Sequence, residues 1–141
     1  MAEDAVRAVI NRLFDEFYNG GKPQVALVIM TSDMRLHNMG RTTTGGPEVF
    51  MQRQSDQLVA APDFRMSLDD LLIEGDKAAY RWTMSGTNTG PMFGRPPTGK
   101  KFAIQGMSIL RVSGGKIAEV WHSYDALGMR RQLGLEPTPE K

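Results

Sequence analysis

A chain of 141 residues fits a single domain, and chains of this size hide roughly 70% of their unfolded surface. Seventeen basic residues against sixteen acidic ones leave a formal charge of +1. The Lys and Arg residues are scattered rather than striped, so nothing argues for a nucleic-acid partner, and the absence of cysteine excludes disulfides, thiolate chemistry and Cys-based zinc sites.

The opening MAEDAVRAV is acidic and amphipathic, unlike a signal peptide. No apolar run approaches the ~20 residues of a membrane span, so the expectation is a cytoplasmic protein with no membrane partner. Its first helix carries Val6, Val9, Ile10, Leu13, Phe14 and Phe17 at i, i+3, i+4, i+7 spacing, and Gly20-Gly21 stop it. Pro23 begins a short helix through Val28, since proline is tolerated at a first helical position. Met34 to Asn38 reads as a brief strand. Pro47 opens a third helix to about Ala60, with Val49, Phe50, Leu58 and Val59 as its apolar positions.

From Phe64 the pattern changes to strands: 64–73, 78–89, 102–112 and 117–124, joined by turns at Gly75 and Gly114-Gly115. Tyr80, Trp82 and Met84 alternate against Arg81, Thr83 and Ser85. Strands of about eleven residues are long enough that a twisted sheet must curve. Helices first and a strand meander afterwards predict an α+β fold with the helices on one face. A single domain is expected over 1–136, with 137–141 as a frayed tail. Ten methionines stand out; the flexible thioether side chain fills irregular space, and Met84, Met92 and Met107 are the candidates to line an apolar pocket.

Several motifs fail on chemistry. GRPPTGKK (94–101) superficially matches a phosphate-binding P-loop, but Lys101 replaces the Mg²⁺-holding hydroxyl and Pro96-Pro97 remove two backbone donors. His37 and His122 are the only histidines and lie in no metal-ligand spacing, so no metal is expected. A serine-hydrolase elbow is missing. General acid/base chemistry or plain ligand binding remains.

Asp125 ends a strand rich in Trp, His and Tyr. Alternation puts Trp121, Ser123 and Asp125 on one side and His122 and Tyr124 on the other. If Trp121 faces a cavity, Asp125 is a desolvated acid/base there, and His122 is partly exposed or interfacial. Equally, Asp is a preferred N-cap for a helix over 126–133 ending at Gly134. Both readings stay open at this level.

GTNTGPMFGRPPTGKKF (86–102), GMSILRVSGGKIAEVWHSYDALG (106–128) and RQLG (131–134), with SDMRLHN (32–38) and APDFRM (61–66), resemble the SnoaL-like polyketide (ester) cyclase family. This family lies within the superfamily of nuclear-transport-factor-type α+β cones. The resemblance implies a cone-shaped barrel of strongly curved antiparallel or mixed sheet, about three N-terminal helices on it and a short C-terminal helix, often as a homodimer. It implies cofactor-independent intramolecular aldol closure of a small apolar carbonyl or ester compound. Asp125 matches the family's acid/base best, while Asn38, with neighbouring His37, and Gln105 match polar pocket residues. Ser123 and Met107 stand where further partners of that aspartate are expected, and Trp121, Trp82 and Tyr18 are candidate substrate walls. Alternatives are hydrolysis or isomerisation through a water activated by Asp125, and non-catalytic binding of an apolar ligand.

Overall fold

The computed structural model describes residues 2–38, 41–92 and 94–135. Helix α1 (Ala2–Arg12) continues into a π-helical segment, Leu13–Tyr18. Helix α2 (Val25–Ile29) leads into strand β1 (Met30–Asn38), then β2 (Arg41–Thr43) and helix α3 (Pro47–Ala60). Strands β3 (Arg65–Glu74), β4 (Lys77–Thr87), β5 (Lys101–Ser113) and β6 (Lys116–Tyr124) follow, and helix α4 (Ala126–Leu133) closes the chain. The tail expected to fray lies outside the described residues.

Six strands form one sheet in the order β2-β1-β6-β5-β4-β3. The meander β3-β4-β5-β6 is antiparallel, and β1 joins β6 in parallel. The α+β expectation holds, with one correction: the sheet is open, not a closed barrel, because β2 and β3 end it as edges. β1 is also longer than the brief strand expected, since Met30 already pairs with Ile117.

Strand parity gives the sheet an inner face and an outer face. Inner positions such as Leu36, Trp82, Ile104, Leu110 and Val120 are buried, whereas Leu72, Met107 and Ile109 on the outer face are exposed. The helical layer covers the inner face through Val6, Val9, Ile10, Leu13, Phe14 and Phe17. The wider π-helical winding brings Phe14, Phe17 and Tyr18 into edge-to-face contact with one another and with Tyr80 and Phe50. Asn19 ties this segment to β3 by exchanging two hydrogen bonds with the Met66 backbone.

Helix α4 docks by a substitution at the sheet. β6 stops pairing with β5 at Tyr124–Gly106, leaving Ala103 short of a ladder partner on that side. The Gln132 side-chain amide supplies it, donating to Ala103 O and accepting from Ala103 N. Gly134, at φ 72°, ends the helix in the left-handed conformation that favours glycine. No described helix is long and apolar enough to cross a membrane.

Candidate functional site

The site is built where β4, β5 and β6 lie side by side. Trp82 pairs with Gly106, and Ser108 pairs with His122. A Cβ at position 106 would run into the Trp82 ring, so the indole lies over a strand position that only glycine leaves open. From there Trp82 Nε1 donates to Ser108 Oγ at 2.8 Å, and Ser108 Oγ lies 2.6 Å from His122 Nδ1. The Tyr80 hydroxyl is buried beside this group without a well-formed hydrogen bond. A line Trp82–Ser108–His122 therefore crosses three strands on the inner face.

His122 lines a cavity of about 110 Å³ with Tyr18, Asn38, Phe50, Phe64, Met66, Trp82, Met84 and Tyr124 among its walls. Phe50 and Trp82 lie against the imidazole at ring separations of 5.8 and 6.3 Å. Burial among these walls, with a smaller contribution from the Arg53 charge, pushes the His122 pKa down to about 4. The imidazole is therefore neutral at pH 7. Burial likewise raises the Tyr18 phenol well above its usual range. Asn38, which lines the same cavity, has its Oδ1 buried with no hydrogen-bond partner among the described residues.

A second hollow of about 490 Å³ adjoins the first, lined by Asp56, Val59, Pro91, Met92 and Met129 among others. Arg53, Gln57 and Tyr124 border both, so the two hollows share that wall. The 88–100 connection that borders it is held by Asn88, whose amide donates to Ala60 O and Gly90 O and accepts from Thr98. The P-loop-like GRPPTGKK lies in this connection and leads into β5 with no helix after it.

The structure brings together Tyr18, Asn38 and Trp82 of the residues singled out from sequence, with Met84 beside them and Met92 in the outer hollow. The others lie elsewhere. Asp125 is exposed and accepts a hydrogen bond from Gly128 N at 2.8 Å, the N-cap of α4, and lines neither hollow. Trp121 faces the other way, stacked on His37 at 5.2 Å on the outer face. His37 bonds Glu119 and Thr42 there, and Gln105, Met107 and Ser123 are exposed.

The parity argument paired the right residues but assigned the wrong side. His122 and Tyr124 face inward with Val120, so Trp121, Ser123 and Asp125 face out. A signal was present: the Trp121 face also carries Glu119 and Asp125, two carboxylates that a core would have to desolvate. The alternate set, Val120, His122 and Tyr124, is the one fit for burial. Ser108 and Arg53 were missed because Ser108 takes its partners from other strands and Arg53 reaches the site from a helix. Among the described residues, no group of three or more His, Asp or Glu side chains is placed to hold a metal ion.

The SnoaL-like polyketide cyclase family model matches residues 8–133. Aklanonic acid methyl ester cyclase AcmA of Streptomyces galilaeus is 28% identical over 94% of this chain and 92% of its own length. TsrD of Streptomyces laurentii superposes with a TM-score of 0.83 at 30% identity, over 94% of this chain and 96% of TsrD. IdmH of Streptomyces antibioticus, a proposed polyketide cyclase, gives 0.79 at 26% identity, over 91% and 97% of the two chains. With a family match across nearly its whole length and a shared fold, this chain belongs to the SnoaL-like polyketide cyclase family.

Proposed function

We propose that this protein is a cofactor-independent cyclase that closes a ring by intramolecular aldol addition, with His122 rather than Asp125 as the acid/base. The observation that supports it is a neutral imidazole in an apolar chamber, anchored through Nδ1 to Ser108. Trp82 Nε1–H occupies one lone pair of Ser108 Oγ. If His122 Nδ1–H takes the other, the serine proton is free for the partnerless Tyr80 oxygen, and Nε2 keeps its lone pair. We assign that tautomer because it gives the buried Tyr80 oxygen a donor.

The step balances without an outside reagent. Nε2 takes the proton from a carbon alpha to a carbonyl, and the enolate carbon bonds to a second carbonyl carbon of the same molecule. The new alkoxide then takes that proton back from the imidazolium. The product is an isomer of the substrate. Asn38 Oδ1, buried and unpaired, is available to a hydroxyl or enol proton on the ligand. Such a base typically contributes about 10² to 10⁴ in rate.

Aklanonic acid methyl ester is the first substrate to offer, as the compound named for the relative AcmA. Smaller enolisable aryl ketones follow, in deuterium oxide, with α-proton exchange read by NMR and ring closure by mass-neutral chromatographic shift. His122→Gln should lose both activities and Asp125→Asn should keep them. The reverse pattern would restore Asp125 to the centre of the mechanism. Binding without exchange in the wild type would favour the ligand-binding reading, and uptake of water would favour hydrolysis.

The homodimer belongs to the same proposal, on the sheet's outer face. There Leu72, Ala79, Ile109 and Trp121 lie in cross-strand register as one apolar row. Sedimentation of wild type against Ile109→Asp tests it, the variant being expected to run as a monomer.

A further inference from the structure

The register of the sheet draws one polar row across its inner face. Tyr80 pairs with Ser108, Ser108 with His122, and His122 with Asn38, on β4, β5, β6 and β1 in turn. The residues beside that row on the same face, Ala78, Trp82, Leu110 and Val120, are buried core. Both ends of the row stop at an atom without a well-formed hydrogen bond among the described residues, the Tyr80 hydroxyl and Asn38 Oδ1. Buried polar atoms of this kind call for an explanation.

The donors and acceptors along the row can be counted. Trp82 Nε1 only donates, and it occupies one lone pair of Ser108 Oγ. The serine keeps one proton and one lone pair, to share between the Tyr80 oxygen and His122 Nδ1. Each of those neighbours can give or take a hydrogen bond, so two arrangements exist. When Ser108 donates to Tyr80, Nδ1 donates to Ser108 and Nε2 carries the lone pair. When Tyr80 donates to Ser108, the serine proton goes to Nδ1 and Nε2 carries hydrogen. The first arrangement makes Nε2 a proton acceptor, and the second makes it a donor. Burial raises the Tyr80 phenol above its usual range, so it stays un-ionised in both.

We propose that Tyr80, acting through Ser108, is a positioning residue that selects the His122 tautomer and keeps Nε2 free to accept a proton. Tyr80 lines neither hollow, so its effect on a ligand must pass through the serine hydroxyl. Without the phenol oxygen, the serine proton has one acceptor left, Nδ1, because Trp82 only donates. The imidazole then holds its hydrogen on Nε2, since a buried serine O–H aimed at nothing is the costlier choice. The catalytic consequence rests on His122 being the base; the tautomer itself does not.

The test is nitrogen-15 NMR of the whole protein, labelled in histidine and free of ligand. The protonated and bare nitrogens of a neutral imidazole have well-separated shifts, and His37→Gln assigns the other ring. Wild type should carry the His122 hydrogen on Nδ1 at pH 7, and Tyr80→Phe should move it to Nε2. In a Ser108→Ala background, Tyr80→Phe should change nothing further. A wild-type hydrogen on Nε2, an unaltered tautomer in Tyr80→Phe, or a change in the Ser108→Ala background would each overturn the assignment. The first of these needs no substitution, so a variant that fails to fold does not shield the idea. Exchange of α-protons on an enolisable aryl ketone should slow at least about tenfold in Tyr80→Phe. If the tautomer moves and exchange is unchanged, the Tyr80 assignment stands and the His122 mechanism falls. If exchange slows with the tautomer in place, the reverse holds.

Discussion

The two histidines of this chain lie on neighbouring strands and live in opposite chemistries. Asn38 pairs with His122 across the parallel β1–β6 ladder, while His37, one residue earlier, pairs with Trp121. His122 faces inward, among Phe50, Trp82 and Tyr124, and burial holds it neutral. His37 faces outward, where Glu119 accepts at 2.6 Å and Arg111 also binds that carboxylate. His37 and then Arg111 hold Glu119 below the usual carboxylate range. One residue of strand parity thus separates a potential proton acceptor from a histidine spent on a hydrogen bond to Glu119. Residue type alone decides neither; the face does.

If that contrast is right, acid should strike the inner face first. His122 titrates at about 4 when folded and near 6.5 when unfolded. The unfolded chain therefore binds more protons between those values, and stability falls as pH drops through the window and levels off below it. The loss should reach up to about 3 kcal/mol, measured by urea unfolding at stepped pH. His122→Phe should flatten that slope. If the variant keeps it, His122 is not the buried group responsible.

Gly106→Ala attacks the same face sterically. The new methyl meets the Trp82 ring, so the indole must shift and its bond to Ser108 is lost. A cost of about 2 kcal/mol is expected from overpacking and the broken bond together, read as a fall in unfolding free energy and a changed Trp fluorescence maximum. Unchanged fluorescence would mean the indole does not rest on position 106.

Asp125→Ala tests the strand end. Loss of the cap bond to Gly128 should cost about 1 kcal/mol and leave His122-dependent exchange within about twofold, well short of the loss a displaced acid/base would cause. Last and smallest, Glu119→Gln on the outer face should cost under about 1 kcal/mol, as partly exposed pairs do. Its effect should be full above the usual carboxylate pKa and be lost as pH falls from there through the depressed folded value, because a depressed carboxylate stabilises only while ionised. A larger loss than that of Asp125→Ala would mark the outer face as buried in an assembly.

Much was legible from the chain alone. The periodicity of Val6 to Phe17 gave the first helix, Pro47 the start of the third, and Gly75 and Gly114-Gly115 the hairpins; these are local signals read within a few residues. The motif stretches carried the family across nearly the whole length. Capping at Asp125 was legible too, as one of two readings, because a cap is satisfied by the backbone three residues on.

The site was not legible in the same way, for a reason particular to strands. Sequence fixes which side chains share a face, and it grouped Trp121 with Ser123 and Asp125. It does not fix which face meets the helices. That was decided by long-range packing: the helical layer buried Val120, half-buried His122 and Tyr124 on the same face, and left Glu119 and Trp121 to the outer side. The line from Trp82 through Ser108 to His122 needs register across β4, β5 and β6, and the wall at Arg53 needs α3 seated over the sheet. Hydrophobic spacing and turn residues therefore determined the elements and the motif stretches the family, while tertiary packing chose the inward histidine, because only packing removes water from one side of a sheet and so determines which group loses its charge.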